Sequence, residues 1–315
     1  MRSVFWSHIS GLHSPLIPLG LVEAAMRFVF TTPASRNIAS IALLSQTAQS
    51  KLAVINSGFG FQGRKPPAPA RDTKPTIAYL GTADFAKMHP GFFDAIDELT
   101  GNDIRASVWG AIDPSGPVVA RAQAMRHPER VIFRGETLEP ATALSEADIF
   151  FYPLQPSHYG TAENALIEAM SLGLVPVVMN NAAEMAIIEH GRNGFIASSI
   201  EETVSILQML LSSHDVRERV SRNAIDHVAE TRAPEHSVRD FMILWLGLLS
   251  RPPKLSDFRA AIGESPADWF IATQNLSGAN SASARWKSTQ QPSKGTLAHF
   301  ESVFSGDASL ARLRL

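Results

Sequence analysis

The sequence predicts an α/β protein whose main body is one doubly wound parallel sheet. Three observations carry this expectation. Apolar, strand-like runs alternate with helical stretches from Thr76 to Leu248, the pattern of a parallel sheet flanked by helices. At 315 residues and 45% hydrophobic content the chain is long enough for up to two domains with real cores. A proline-rich, charged segment at 63–75 reads as a linker, with one complete domain after it and about half a domain before it.

Taken in order, residues 1–62 offer strands at 4–7, 28–31 and 52–55 and helices at 19–26 and 35–49. After the linker, strands are expected at 76–80, 105–109, 131–133, 149–152, 175–179 and 194–197. Helices fall between and after them at 90–99, 118–125, 141–145, 162–172, 183–189 and 200–212, with a long one from 214 to about 230. The domains are accordingly drawn as 1–62, a partial N-terminal α/β domain; 63–75, the linker; 76–250, the sheet domain; and 251–315, a helical extension. Within that extension 258–262 and 266–273 look helical, and the small polar stretch near 275–295 is expected to be mobile.

Composition excludes several classes of function. A formal net charge of −2 offers no overall footprint for nucleic acid. Zero cysteines rule out disulfides, thiolate metal sites and a cysteine nucleophile. No stretch reaches the roughly 20 apolar residues of a membrane span, and Glu23 and Arg27 interrupt the greasiest early segment. A cytoplasmic protein is expected, with a peripheral place at the inner membrane face left open.

The most informative stretch runs from Ser157 to Met170, a polar loop ahead of an apolar helix that carries one unexplained carboxylate. Thr161 suits an N-cap, and Gly173 stands where a helix ends in a left-handed residue. Free backbone N–H groups at such a helix start favour an anion, and Gly160 lets a phosphate approach the main chain. Glu168 has no cation three or four residues away. A carboxylate placed there can accept both ribose hydroxyls of a nucleotide. The loop Gly81-Thr82-Ala83-Asp84-Phe85-Ala86-Lys87 follows the first strand of the main domain, on the edge where α/β folds bind ligands, which makes Lys87 a candidate phosphate cation.

Other motifs carry less. Gly58, Gly60 and Gly63 match a dinucleotide-binding pattern, but Pro66, Pro67 and Pro69 deny the helix that the pattern needs. His8, His13, His89 and His158 are isolated in sequence, no Asp-x-Asp pair occurs, and no metal is expected. Glu184 follows an apolar strand in another carboxyl-end loop, and an acid in the first turn of a helix is an equally good account of it.

The order of these elements resembles the nucleotide-sugar-binding half of GT-B glycosyltransferases of the group 1 (family 4) class, over about 76–230. In that family a Gly-Arg-x-x-x-x-Lys loop supplies cations to the diphosphate. Gly81 and Lys87 match it, with Thr82 where the arginine stands. The second glutamate of the family's E-x7-E motif corresponds to Glu168, followed by Ala169 and Met170 and later by Pro176 and Val177; the first falls on Gly160. Asn164 lies one turn before Glu168 and can orient it, whereas Glu163 cannot replace the missing first glutamate. Phe133 and Arg134 lie in the strand and turn whose backbone meets the base, and Tyr159, Thr161, Ala162 and Glu163 complete the implied donor-binding set.

The resemblance implies a GT-B fold with a shortened N-terminal domain and transfer of a sugar from a nucleotide-diphosphate donor, with retention at the anomeric carbon. The donor is a substrate, and no cofactor is implied. A glycan or a lipid-linked molecule is the implied class of acceptor. Lys87 and the amides of 161–164 would stabilise the leaving diphosphate, and His8 is the candidate contribution from the N-terminal domain. Two alternatives remain open: a nucleotide-sugar epimerase of the same architecture, and a non-catalytic nucleotide-sugar-binding protein. The shortening further leads one to expect donor binding with little turnover.

Overall fold

The computed structural model describes residues 2–58, 75–101, 103–161, 163–274, 286 and 293–315, with the side chain of Glu163 outside that set. Nearly all of the linker at 63–75, most of the glycine pattern at 58–63, Ala162 and most of the stretch near 275–295 therefore lie outside the described residues. The chain divides into two compact units. One comprises Met1–Asn56, Tyr159–Thr161 and Asp240–Leu315, and the other Ser57–His158 and Ala162–Arg239.

The first unit is built on three parallel strands in the order β1-β2-β3, with β1 at Val4–Ser7, β2 at Arg27–Phe30 and β3 at Leu52–Val54. Ile17, Val22, Phe28, Phe30, Ile41 and Leu52 form one core, while Val29 and Ile55 pack with Phe241 in another. Phe241 belongs to the helix Pro234–Leu249, which the sequence analysis did not mark. Its apolar run from Phe241 to Leu246 is continuous rather than periodic, so it offers no amphipathic pattern to read. The Arg2 guanidinium donates to Leu248 O at 3.0 Å and to Arg251 O at 2.9 Å. These contacts explain why Asp240–Leu315 groups with the N-terminal strands, where the sequence suggested a separate extension from residue 251.

The helix expected at 35–49 is instead three short ones, Pro33–Arg36, Ala39–Ala42 and Gln46–Gln49. Ile38 and Ser45 are extended, and the Ser45 hydroxyl accepts from Ala48 N at 3.2 Å. A serine that satisfies a backbone N–H in this way starts a new turn rather than continuing the old one. The C-terminal helices Leu297–Val303 and Ala308–Ala311, also unmarked in the sequence, pack with Phe270 through Leu297 and Leu310.

The second unit holds a six-stranded, wholly parallel sheet. Its strands are β4 (Ile77–Leu80), β5 (Ala106–Trp109), β6 (Val131–Gly135), β7 (Ile149–Tyr152), β8 (Val175–Met179) and β9 (Phe195–Ala197), in the order β6-β5-β4-β7-β8-β9. Every residue of β7 and β8 is buried, as expected for strands covered on both faces. Helices Gly91–Glu98, Pro117–Gln123, Pro140–Leu144, Glu163–Ser171 and Ile200–Ser212 follow β4, β5, β6, β7 and β9 respectively. Only Ala182–Met185 of the helix expected at 183–189 forms after β8. The chain winds outward from β4 to β6, then crosses to β7 on the other side of β4. The carboxyl ends of β4 and β7 thus flank the topological switch point, where open α/β sheets bind ligands.

Candidate functional site

The loops after β4 and β7 are tied together. Met88 and Leu154 form an antiparallel bridge, Gln155 N donates to Lys87 O at 2.8 Å, and the Gln155 side-chain amide donates to Phe85 O at 3.2 Å. The Lys87 ammonium lies over the Tyr152 ring, 5.4 Å from its centroid. A Cβ placed on Gly81 would sit 3.6 Å from Lys87 Nζ and 3.3 Å from the Tyr152 hydroxyl, so Gly81, Lys87 and Tyr152 converge at the switch point. Thr82 contributes a carbonyl there, accepting from the Tyr79 hydroxyl at 2.8 Å.

Backbone approaches backbone closely at this edge. Gly110, just past β5, has φ +153°, and a Cβ on it would fall 2.0 Å from Gly81 O. Gly110→Ala therefore cannot be accommodated without displacing the Gly81 loop, and it is expected to lower stability by about 2 kcal/mol or more. Urea unfolding checks this: a loss below about 0.5 kcal/mol would show that the loop yields freely.

The helix after the β7 loop spans Glu163–Ser171. Gly173 follows it with φ +84°, donating to Met170 O at 3.0 Å, while Leu174 N reaches Ala169 O at 3.0 Å; this is the left-handed ending that the sequence indicated. One face of the helix is fully buried through Leu166, Ile167, Ala169 and Met170. Glu168 stands between, half-buried. Its carboxyl has no hydrogen-bond or ion-pair partner among the described residues, and burial alone pushes its pKa above the usual glutamate value. A carboxylate held this way is under-satisfied and suited to accept hydroxyl donors from a ligand. Asn164 is exposed one turn before it.

His158 is not isolated, as it looked in the sequence. It is 3% exposed and its Nε2 lies 3.3 Å from Oε2 of Glu184, which is fully buried. The Asn181 side-chain amide donates to Glu184 Oε1 at 3.0 Å and to Leu154 O at 3.2 Å. Glu184 does stand in the first turn of the helix Ala182–Met185, but its carboxylate also fastens the β7 loop to the β8 loop. The positions are 26 residues apart, so spacing alone could not reveal the pair; their location just beyond two adjacent strands was the available signal. Farther along the sheet edge, Phe133 packs partly buried against the core, and exposed Arg134 approaches Ser107 Oγ at 3.4 Å.

The remaining candidates belong to the first unit. Ile9 and Gly160 form an antiparallel bridge, and Ser10 N donates to Tyr159 O at 2.8 Å, with Thr161 buried beside them. Lys294 lies over the Tyr159 ring at 6.0 Å. His8 rests against Trp6 with ring centroids 4.3 Å apart; burial, then the positive charge of Lys294, holds its pKa below the usual histidine value. A neutral imidazole is favoured there. Among the described residues no group of three or more His, Asp or Glu side chains is placed to hold a metal ion, and no helix is long and apolar enough to cross a membrane.

The two units with their parallel sheets make this a GT-B architecture, which the chain shares with solved glycosyltransferases. Residues 74–213 match the family model of glycosyl transferases group 1. The fold is similar to S. aureus TarM, at 13% identity and a TM-score of 0.65 over 79% of this chain and 51% of that one, in a structure with UDP, fondaparinux and α-GlcNAc-glycerol. It is similar also to Anabaena HepE in complex with UDP and glucose, at 17% identity and a TM-score of 0.65 over 78% of this chain and 72% of that one. Sucrose-phosphate synthase from Thermosynechococcus elongatus matches at 18% identity and a TM-score of 0.62 over 73% of this chain and 61% of that one. The chain thus spans about half the length of TarM. No curated protein matches the sequence.

Proposed function

We propose that this protein binds a nucleoside-diphosphate sugar at the carboxyl edge of β4 and β7 and transfers the sugar with retention of anomeric configuration. The observation that carries the reading is Glu168: a half-buried carboxylate with no partner among the described residues, its pKa raised by burial, on the helix next to the switch point. Two ribose hydroxyls would supply the donors it lacks. Lys87 and the amides that open the helix Glu163–Ser171 would face the diphosphate. As the bond from the anomeric carbon to the diphosphate breaks, charge grows on that leaving group, so a cation and dipoles fixed there favour the transition state over the ground state. The acceptor oxygen forms the new bond, and its proton leaves with the diphosphate. UDP in the HepE and TarM structures makes it the first nucleotide to test. A glycan or a lipid-linked molecule is the acceptor class in this reading, and a cytoplasmic setting goes with it.

A second reading, a nucleotide-sugar-binding protein with little turnover, draws on Thr82 and Gly160, which stand where the resemblance calls for an arginine and a glutamate. Incubation with UDP-sugars and product analysis separates the two: released UDP with a transferred or hydrolysed sugar supports the transferase, and tight binding without release supports the binder.

Lys87→Ala is expected to weaken a nucleoside diphosphate about tenfold or more while barely changing the matching nucleoside, because only the former carries the charge that Lys87 meets. EDTA is expected to leave diphosphate affinity unchanged. Equal losses for both ligands, or a strict Mg²⁺ requirement, contradict the assignment of Lys87 to the diphosphate.

A further inference from the structure

The net charge of −2 conceals a division between the units. The segments of the first unit carry 12 Lys and Arg against 7 Asp and Glu, a net of +5, which leaves −7 for the rest of the chain. Strong charge asymmetry between parts of a chain points to a charged partner surface.

Within the first unit the charge gathers at the end of one helix. The Arg2 guanidinium donates to the carbonyls of Leu248, Leu249 and Arg251 at the end of Pro234–Leu249. Arg251 and Arg27 repel one another, as do Lys254 and Lys51, and after burial this repulsion is what lowers the pKa values of Arg27 and Lys51. Glu23 offsets part of this at Lys51.

The same helix presents an apolar stripe beside those cations. Phe241 and Leu248 are buried, whereas Met242, Trp245, Leu246 and Leu249 are 46%, 47%, 60% and 63% exposed. At about 100° per residue these four fall within about a quarter of the helix circumference, on the flank next to the packed Phe241 and Leu248, with the Trp245 ring centroid 5.5 Å from that of Phe241. Large side chains in a contiguous exposed stripe mark an interaction site. A tryptophan among aliphatics, bordered by lysine and arginine, is the composition that lies in a lipid headgroup region.

We propose that this stripe and the cations at its end, Arg27, Lys51, Arg251 and Lys254, dock the first unit on an anionic phospholipid surface. The helix lies along the membrane, with the stripe entering the headgroup boundary and the cations meeting lipid phosphates. The inference is independent of sugar transfer, and its test reads no activity.

The test is sedimentation of the full chain with phosphatidylcholine vesicles, with and without phosphatidylglycerol. Binding is expected only with the anionic lipid and is expected to fall as salt rises. Leu246→Glu with Leu249→Glu should lower partitioning more than about tenfold, and Arg251→Glu or Lys254→Glu at least about fivefold. All four sites can change without removing a core side chain, and unchanged thermal melts confirm folding. Brominated lipids should quench tryptophan fluorescence in the wild type and less in Trp245→Phe. Equal sedimentation with neutral and anionic vesicles, or wild-type binding by the Leu246→Glu, Leu249→Glu variant, overturns the proposal. It is also overturned if light scattering finds a dimer that the double variant converts to monomer while neither binds vesicles, because the stripe then seats a second copy of the chain.

Discussion

His158→Ala is expected to lower the unfolding free energy by about 3–5 kcal/mol, the cost of breaking a buried pair by removing one partner. Glu184 is fully buried, and its two carboxylate oxygens are met by different residues, Oε2 by His158 at 3.3 Å and Oε1 by Asn181 at 3.0 Å. Without the imidazole, Oε2 keeps its desolvation cost and loses the contact that offsets it. Glu184→Gln keeps a polar group of the same shape between His158 and Asn181, so its loss should be clearly smaller. Urea unfolding of both variants tests the pair. A His158→Ala loss under about 1 kcal/mol would show that water replaces the imidazole and that the pair does not hold the β7 and β8 loops together.

Glu168→Gln is expected to weaken nucleoside-diphosphate binding about ten- to a hundredfold, since a hydrogen bond to a charged group contributes roughly 1.5–3 kcal/mol. The free protein should be no less stable and should gain slightly, because the substitution removes a buried carboxylate with no partner among the described residues. This opposition of stability and affinity distinguishes a ligand-binding carboxylate from a structural one. The pH dependence has a definite sign. Burial raises the folded-state pKa of Glu168, so the folded protein holds a proton that the unfolded chain releases earlier, and stability falls as pH rises from the unfolded value through the raised one. The ionised form is the one that accepts from ribose, so nucleotide affinity should rise over the same window and flatten in Glu168→Gln. Calorimetry showing unchanged affinity in the folded variant would remove the ribose role.

The sheet of the second unit was legible because its strands are short apolar runs between polar loops. The elements Ile149–Tyr152, Val175–Met179 and Ile200–Ser212 have the bounds that the sequence indicates. Gly173 was legible for a local reason too, since few residues other than glycine take a φ of +84° cheaply. What depends on distant partners was not legible. The His158–Glu184 pair needs β7 and β8 side by side before it can be seen, and Phe241 needs Val29 and Ile55 before its helix has a reason to exist. The break of 35–49 at Ser45 was the opposite failure, a local hydrogen bond that outcompeted a helical pattern. The candidate site follows the same division: Lys87 and Glu168 announced themselves by chemistry, whereas the ties that hold the β4 loop to the β7 loop, from Gln155 to Lys87 and Phe85, appear only in three dimensions.

The most direct test of the nucleotide-sugar reading is a crystal structure of the protein soaked with UDP. The account predicts the ribose hydroxyls within hydrogen-bond distance of Glu168 and the diphosphate between Lys87 and the start of the helix Glu163–Ser171. A nucleotide bound elsewhere, or a ribose turned away from Glu168 with the site otherwise filled, would contradict it.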